Sequence, residues 1–126
     1  LLLEVRVPPP QAGSADCYQR FIPRNEMDIA VVGVGASVTL DRGRCSSARV
    51  VLGAVGPTPI LAEEAATTMI GHVIDDDVLD RVVAAATAAA RPISDKRGPA
   101  EFRRRVVGVL ARRVVAEAAR RAARAD

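Results

Sequence analysis

Two stretches of alternating residues, joined by a short polar turn, constrain the fold of this chain more than any other feature. In the stretch 28–40, the residues of one face are apolar from Ala30 to Leu40, and the other face carries two glycines and two hydroxyls. The stretch 46–55 repeats the pattern, and Gly43 lies in the turn between them. A period of two is typical of a half-buried strand. We therefore predict an antiparallel hairpin with one apolar sheet face, in which Gly43 adopts a positive φ.

Helical patterns follow the hairpin. The stretch 60–70 is predicted to be a helix that ends at Gly71, because glycine readily forms the left-handed C-cap. A second helix is predicted to begin at the three aspartates 75–77 and to run to Ala90. Carboxylates at a helix start accept hydrogen bonds from its free amides and interact favourably with its dipole.

The last predicted helix begins near Pro99. Its expected buried stripe consists of Phe102, Val106, Val109, Leu110 and Val114. From Ala116 onward, alanine and arginine follow one another without a pattern. We therefore expect the end of this helix to fray.

The order of these elements predicts the fold class. Residues 17–22 form a plausible third strand beside the hairpin, so the strands precede the helices. This order favours an α+β fold with a small antiparallel sheet of about three strands, covered on one face by a three-helix layer. A chain of 126 residues is expected to form one domain.

Composition narrows the classes of function. The only aromatic residues are Tyr18, Phe21 and Phe102, which is few for a protein that stacks single-stranded nucleic acid. The spacing of Cys17 and Cys45 matches no metal motif, and two cysteines make no disulfide framework. The start of the chain is too short and too soon charged for a signal peptide, and no apolar run has membrane-spanning length. We expect a cytoplasmic protein and, because no initiator Met is present, a fragment of a longer chain or a processed piece.

Three features resemble chemical motifs but are interpreted structurally. Gly33-Val34-Gly35 lacks the third glycine of a dinucleotide loop and lies inside a predicted strand, so we expect it to let another group pack closely on the sheet. His72 has no second ligand nearby in the sequence, and the aspartates 75–77 have no calcium-loop spacing. We predict no metal site and no catalytic residue in this chain.

Arginines dominate the last predicted helix and leave several interpretations open. They could bind nucleic acid, as in a small basic α+β binding module. They are spread around the helix, however, and arginine also suits contacts between subunits or domains. A purely structural dimerisation domain is a third interpretation.

Four ordered features resemble a known domain. They are YQRFIPRNEMDIA at 18–30, LGAVGPTP at 52–59, a short helix that stops at Gly71, and PISDKRGPAEFRR at 92–104. In this order they resemble the C-terminal domain of the FAD-binding (medium) subunit of molybdenum hydroxylases. This family includes xanthine dehydrogenases, aerobic carbon monoxide dehydrogenases and aldehyde oxidoreductases.

The resemblance implies a domain organisation and a function. Residues 1–15 would be the end of a preceding flavin-binding domain and a linker, and residues 16–126 the carbon monoxide dehydrogenase flavoprotein C-terminal-like domain. The domain would flank an FAD that is bound mainly by upstream domains absent from this chain. That flavin passes electrons from iron–sulfur clusters to an acceptor, so the parent protein would be part of an oxidoreductase.

The resemblance also implies partners and site residues. The partners would be an iron–sulfur small subunit and a molybdopterin large subunit, in a homodimeric assembly of heterotrimers, with no nucleic acid and no membrane. Tyr18, Arg20 and Arg24 would lie nearest the flavin, with Arg20 where many members have lysine. In the last segment, Phe102 would anchor the helix to the sheet, and an arginine would form a salt bridge to the loop that bears Asp28.

Overall fold

A computed structural model describes residues 1–24 and 27–125 of the chain. Asn25 and Glu26, which belong to the first segment of the resemblance, and Asp126 lie outside the described residues. The elements are β1 (Ser14–Phe21), β2 (Val32–Asp41), β3 (Arg44–Gly53), β4 (Ile60–Leu61), α1 (Glu63–Thr67), α2 (Asp76–Ala89) and α3 (Ala100–Ala122). The four strands pair antiparallel in the order β1-β2-β3-β4. The predicted α+β fold is confirmed, with one strand more than the expected three.

The hairpin between β2 and β3 forms as predicted. Asp41 pairs with Arg44, which leaves Arg42 and Gly43 as a two-residue turn with φ values of 49° and 77°. Two positive φ angles give the turn a twist that matches that of the strands. The positive φ of Gly43 is therefore confirmed.

The core lies between the sheet and the helices. The side chains of Val32, Val34, Val50 and Leu52, all on one sheet face, are 0% exposed. Against this face, α3 packs on β1 and β2, and α1 packs on β3. α2 lies beside both α1 and α3, which completes the predicted helical layer.

The predicted helix at 60–70 is wrong at both ends, because α1 spans only Glu63–Thr67. Ile60 pairs with Leu52 of β3, and the amide of Ala62 donates to the carbonyl of Val50 at 2.9 Å. These bonds to the sheet edge keep the backbone extended, so α1 is only five residues long. The C-cap of α1 is Thr68, so the predicted capping role of Gly71 is wrong; Gly71 instead lies in the turn that follows, where it has a φ of 80°.

The start of α2 follows its prediction. The side chain of Asp75 accepts a hydrogen bond from the amide of Val78 at 2.9 Å. This is an N-cap interaction, and Asp76 and Asp77 add negative charge in the first turn.

The predicted buried stripe of α3 is wrong in part, because the helix is rotated about its axis. Val109 is 50% exposed, and Phe102 and Val106 are only half-buried. Gly108 instead faces α2, where an added Cβ would lie 3.0 Å from atoms of Val83 and Thr87. This close approach directs a different face inward, consisting of Arg103, Val107, Gly108, Leu110, Ala111, Val114, Val115, Ala118 and Ala122.

The predicted fraying after Ala116 is also wrong. α3 continues to Ala122, and both Ala118 and Ala122 are 0% exposed. The guanidinium of Arg121 donates to the carbonyl of Asp16 in β1 at 2.9 Å. Small side chains therefore let the end of the helix pack closely against the first strand.

Candidate functional site

The sheet face opposite the helices is open, and its centre is made of small residues. Because side chains alternate along a strand, Tyr18 and Arg20 share this face of β1, whereas Cys17 points into the core. In register with them are Gly35 and Gly33 of β2. Gly33 in turn pairs with Gly53 of β3. The open face therefore has a glycine floor beneath the side chains of β1.

The ring of Tyr18 lies across this floor. A Cβ added to Gly33 would stand 2.8 Å from the phenolic oxygen of Tyr18, and one added to Gly35 would stand 3.6 Å from its Cδ2. The expected close packing on Gly33 and Gly35 is thus observed, and Tyr18 is the group that packs there. The side chain remains 64% exposed. The side of the ring that carries Cδ2, Cε2 and the phenolic oxygen rests on the glycines, and the rest of the side chain is exposed.

Of the other two predicted site residues, Arg20 shares the open face with Tyr18 and Arg24 does not lie on the sheet. Arg20 is exposed and lies opposite Gly33 in the register of β1 and β2. Arg24 follows β1, and its Nε donates to Asp28 Oδ2 at 3.2 Å. This hydrogen bond is the main reason why the pKa of Asp28 lies below its usual value. The structure therefore groups Tyr18 with Arg20 and engages Arg24 in the following loop.

A buried arginine, which sequence reasoning did not single out, ties the loops together at one end of the sheet. Arg103 is 5% exposed. Its guanidinium donates to the carbonyls of Val31 at 3.2 Å, Ile93 at 2.9 Å and Ala54 at 3.1 Å. Three donors in a fixed planar arrangement can satisfy three such acceptors at once. We call this arrangement the Arg103 clasp.

The predicted salt bridge from an arginine of the last segment to the loop that bears Asp28 is wrong. The carboxylate beside Arg103 is Asp95, with an N–O distance of 3.5 Å, whereas Asp28 pairs with Arg24. The pKa of Asp95 is lowered, chiefly by the amide of Arg97 and also by the charge of Arg103. Two segments of the resemblance, 52–59 and 92–104, therefore meet at one guanidinium.

A contact between two aromatic rings joins the first segment of the resemblance to the last. Phe21 and Phe102 pack edge to face with ring centroids 6.2 Å apart. The role predicted for Phe102, which is to anchor α3 to the sheet, has this contact as its physical basis.

The remaining candidate features have structural explanations. Within residues 1–24 and 27–125, no group of three His, Cys, Asp or Glu side chains could hold a metal ion. Cys17 and Cys45 are both buried free thiols, and burial raises the pKa of Cys45. None of the described helices combines the length and the apolar character needed to cross a membrane.

Comparison with known proteins identifies the domain. The model of the carbon monoxide dehydrogenase flavoprotein C-terminal domain matches residues 18–118. The chain belongs to this family. The match begins at Tyr18 and includes the glycine floor, the Arg103 clasp and most of α3.

Relatives of this flavoprotein domain are parts of longer chains. The carbon monoxide dehydrogenase medium chain of Afipia carboxidovorans is 38% identical over 122 residues, which cover 97% of this chain and 42% of that one. The xanthine dehydrogenase FAD-binding subunit of Escherichia coli O157:H7 is 27% identical over 119 residues, covering 94% of this chain and 41% of the relative. The chain thus spans about two fifths of the length of these relatives.

A solved structure shares the fold of this flavoprotein domain. The crystal structure of cyanide-inactivated Cu,Mo-CO dehydrogenase superimposes with a TM-score of 0.84 at 37% identity. The superposition covers 91% of this chain and 40% of the matched chain. The arrangement of sheet and helices described above is therefore the family's fold.

Proposed function

We propose that this chain is the C-terminal domain of the FAD-binding subunit of a molybdenum hydroxylase, and that its open sheet face forms one wall of the flavin pocket. The observation that carries the proposal is the exposed Tyr18 ring on its glycine floor, in a family whose relatives include a subunit named as FAD-binding. Tyr18, Arg20 and Arg24, the three residues implied by the resemblance, are proposed to lie nearest the flavin.

The open face fits the ring of a flavin better than it fits the whole of FAD. An aromatic side chain with one free side offers a stacking surface for a planar ring. Gly33-Val34-Gly35 lie within β2, whereas a phosphate-binding glycine loop lies between a strand and a helix. We therefore assign the phosphates of FAD to upstream domains of the parent chain, with residues 1–15 as the connection to them.

Arg20 supplies the charge that this wall can offer. FAD, when bound, accepts electrons and passes them to an acceptor. Arg20 carries a positive charge, which favours negative charge on its side of the pocket. Arg24 lies after β1 and forms a salt bridge with Asp28, which balances much of its charge there.

The proposed partners are an iron–sulfur small subunit and a molybdopterin large subunit, in a cytoplasmic homodimer of heterotrimers. Two relatives are named for carbon monoxide and xanthine dehydrogenases, so similar domains serve enzymes with different substrates. We therefore assign substrate recognition to the large subunit. The nucleic-acid and dimerisation interpretations receive no support from the comparisons.

The test is Arg20→Ala in the full-length subunit, assembled with its partners. We expect a changed flavin reduction potential or changed electron delivery to the acceptor, because a positive charge near the ring is lost. Oxidation of substrate at molybdenum, followed with electrons trapped before the flavin, should be unchanged. Arg81→Ala, in an exposed position on α2, is the matched control and should change neither step.

Two outcomes would contradict the proposal. If Arg20→Ala slows the reaction at molybdenum and spares the flavin step, the role of Arg20 is wrong. If the full-length protein purifies without flavin and has no upstream flavin-binding loops, the assignment of the parent enzyme is wrong.

A further inference from the structure

The outward side of α3 carries a second apolar surface that the domain itself does not cover. Phe102, Val106 and Val109 lie on this side and form a groove with Phe21 at the end of β1. Val109 is 50% exposed and Phe21 is 38% exposed. These helix residues are the part of the predicted buried stripe that the rotation of α3 leaves at the surface. α3 is therefore apolar on two sides, of which only one is packed within the domain.

Two arginines border this outer groove. Arg105 and Arg113 line it and are exposed, and among the described residues neither has a carboxylate within salt-bridge distance. Arg112 of the same helix, by contrast, contacts both Asp76 and Asp80. An apolar centre between cations without partners is complementary to an apolar segment flanked by carboxylates.

A second copy of the chain does not fit this charge pattern. A twofold contact through the groove would place Arg105 and Arg113 opposite the same arginines of the other copy. Like charges facing one another disfavour such a contact. The occupant is therefore expected to differ from the chain in its charge.

The preceding part of the parent chain is proposed to contact the open face of the sheet, whereas Phe21 lies on the opposite face and packs against Phe102 of α3. The chain enters the sheet at Gly13, whose carbonyl accepts from the amide of Leu40 at 2.8 Å. Phe21 lies at the far end of β1, roughly 26 Å away at the usual rise of a strand. A separate subunit reaches this side of α3 more directly.

We propose that the groove of Phe21, Phe102, Val106 and Val109, with Arg105 and Arg113 at its border, docks an acidic, apolar segment of another subunit. The inference builds on the proposed function, which makes the chain part of a multi-subunit enzyme. The apolar side chains would supply buried contact area. The two arginines would select the orientation of the segment and accelerate its association.

The first experiment reverses the charges in the full-length subunit. We expect Arg105→Glu with Arg113→Glu to weaken association with the partner subunits about tenfold or more, because like charges would face the docked segment. Arg81→Glu with Arg124→Glu changes the net charge equally at exposed positions outside the groove and should leave affinity within about twofold. Equal affinity for the two double variants overturns the proposal.

A matched pair tests the apolar part. Val109 and Val73 are 50% and 51% exposed, so Val109→Gln and Val73→Gln remove equally accessible apolar side chains. We expect only Val109→Gln to weaken assembly. If both variants retain the affinity of the unmodified subunit while the enzyme still carries flavin, the docking surface is wrong and the proposed function stands.

Chemical modification of the unaltered protein avoids any effect of substitutions on folding. Phenylglyoxal labelling, mapped by peptide mass, should find Arg105 and Arg113 protected only in the assembled enzyme, with Arg81 reactive throughout. Protection already present in the free full-length subunit would assign the groove to the upstream domains and overturn the proposal. Reactivity in both states, or protection that depends only on the concentration of this chain, would overturn it as well.

Discussion

The two faces of the sheet differ in what their side chains do. On the covered face, Val34 and Leu52 pair across β2 and β3 and are 0% exposed. On the open face, the neighbouring positions Gly35 and Val51 pair, and Val51 is 37% exposed beside the Tyr18 ring. Both faces come from the same strands, and consecutive residues contribute to opposite sides. The covered face therefore explains why the domain folds, and the open face is free to be shaped for binding.

This difference predicts that stability and function can be changed separately. Substitutions on the covered face should unfold the domain, and substitutions on the open face should alter the site with little effect on folding. The Arg103 clasp is expected to be an exception to this separation, because it joins the end of the sheet to the loops beside the proposed site.

Arg103→Ala is expected to give the largest loss of stability. It leaves the carbonyls of Val31, Ala54 and Ile93 without their donor and removes the cation beside Asp95. Loss of one partner from a buried charged network costs roughly 3–5 kcal/mol in the free energy of unfolding. Urea unfolding of the chain and its variant measures the difference.

The conservative variant distinguishes charge from geometry. Arg103→Lys keeps the positive charge but cannot present three donors in the guanidinium's planar arrangement. We expect it to recover only part of the lost stability. A full recovery would show that charge alone matters, and a loss below about 1 kcal/mol for Arg103→Ala would contradict the clasp.

Leu52→Ala and Val51→Ala compare the two faces at adjacent residues. The Leu52 side chain is fully buried, so its truncation should cost roughly 2–5 kcal/mol through lost burial and a cavity. Val51 lies on the open face, and its truncation should cost less than about 1 kcal/mol. Thermal and urea unfolding of both variants measure these losses of stability. Equal losses would mean that a second layer covers the open face in this chain.

The two faces could be predicted from the sequence, because alternation is a local property. Val32, Val34, Val50 and Leu52 had to share a side once the hairpin formed, and Gly43 marked its turn. The glycines of β2 also indicated close packing. That Tyr18 is the group lying on them depends on the register of β1, which no local pattern determines.

The helical layer was predicted less well, for reasons of tertiary packing. In α3, Phe102, Val106 and Val109 form an apolar stripe as regular as the buried one, so periodicity could not decide which faces the sheet. Gly108 against α2 decides it. Similarly, nothing separates Arg103 from Arg104 and Arg105 in the sequence, and only the convergence of three carbonyls identifies the buried one.

Gly33→Ala and Gly35→Ala test how the Tyr18 ring lies on the open face. The new Cβ would lie 2.8 Å from the Tyr18 phenol, so the ring must move, whereas Gly35→Ala places its Cβ in ordinary contact at 3.6 Å. We expect either variant to change stability by less than about 1 kcal/mol, since alanine is tolerated in a strand.

The readout for these variants is the emission of Tyr18 itself. The chain has one tyrosine and no tryptophan, so its fluorescence reports this side chain alone. Gly33→Ala should change the emission and its quenching by iodide, and Gly35→Ala should change them much less. Identical spectra for the two variants would show that the ring does not rest on Gly33.

The smallest expected effect is the pH dependence of the Glu117 cluster at the end of α3. Hydrogen bonds from Arg120 and Arg121 lower the pKa of Glu117 from 4.5 to about 2. Because the folded pKa lies below the unfolded one, the stabilisation is fully present above pH 4.5 and is lost as the pH falls towards about 2. Glu117→Gln should therefore be less stable than the unmodified chain at neutral pH and nearly equal to it near pH 2. The difference should be small and should shrink in salt, since these side chains are in contact with solvent. A difference in unfolding midpoint that stays constant from neutral pH to pH 2 would mean that Glu117 acts through packing rather than through its charge.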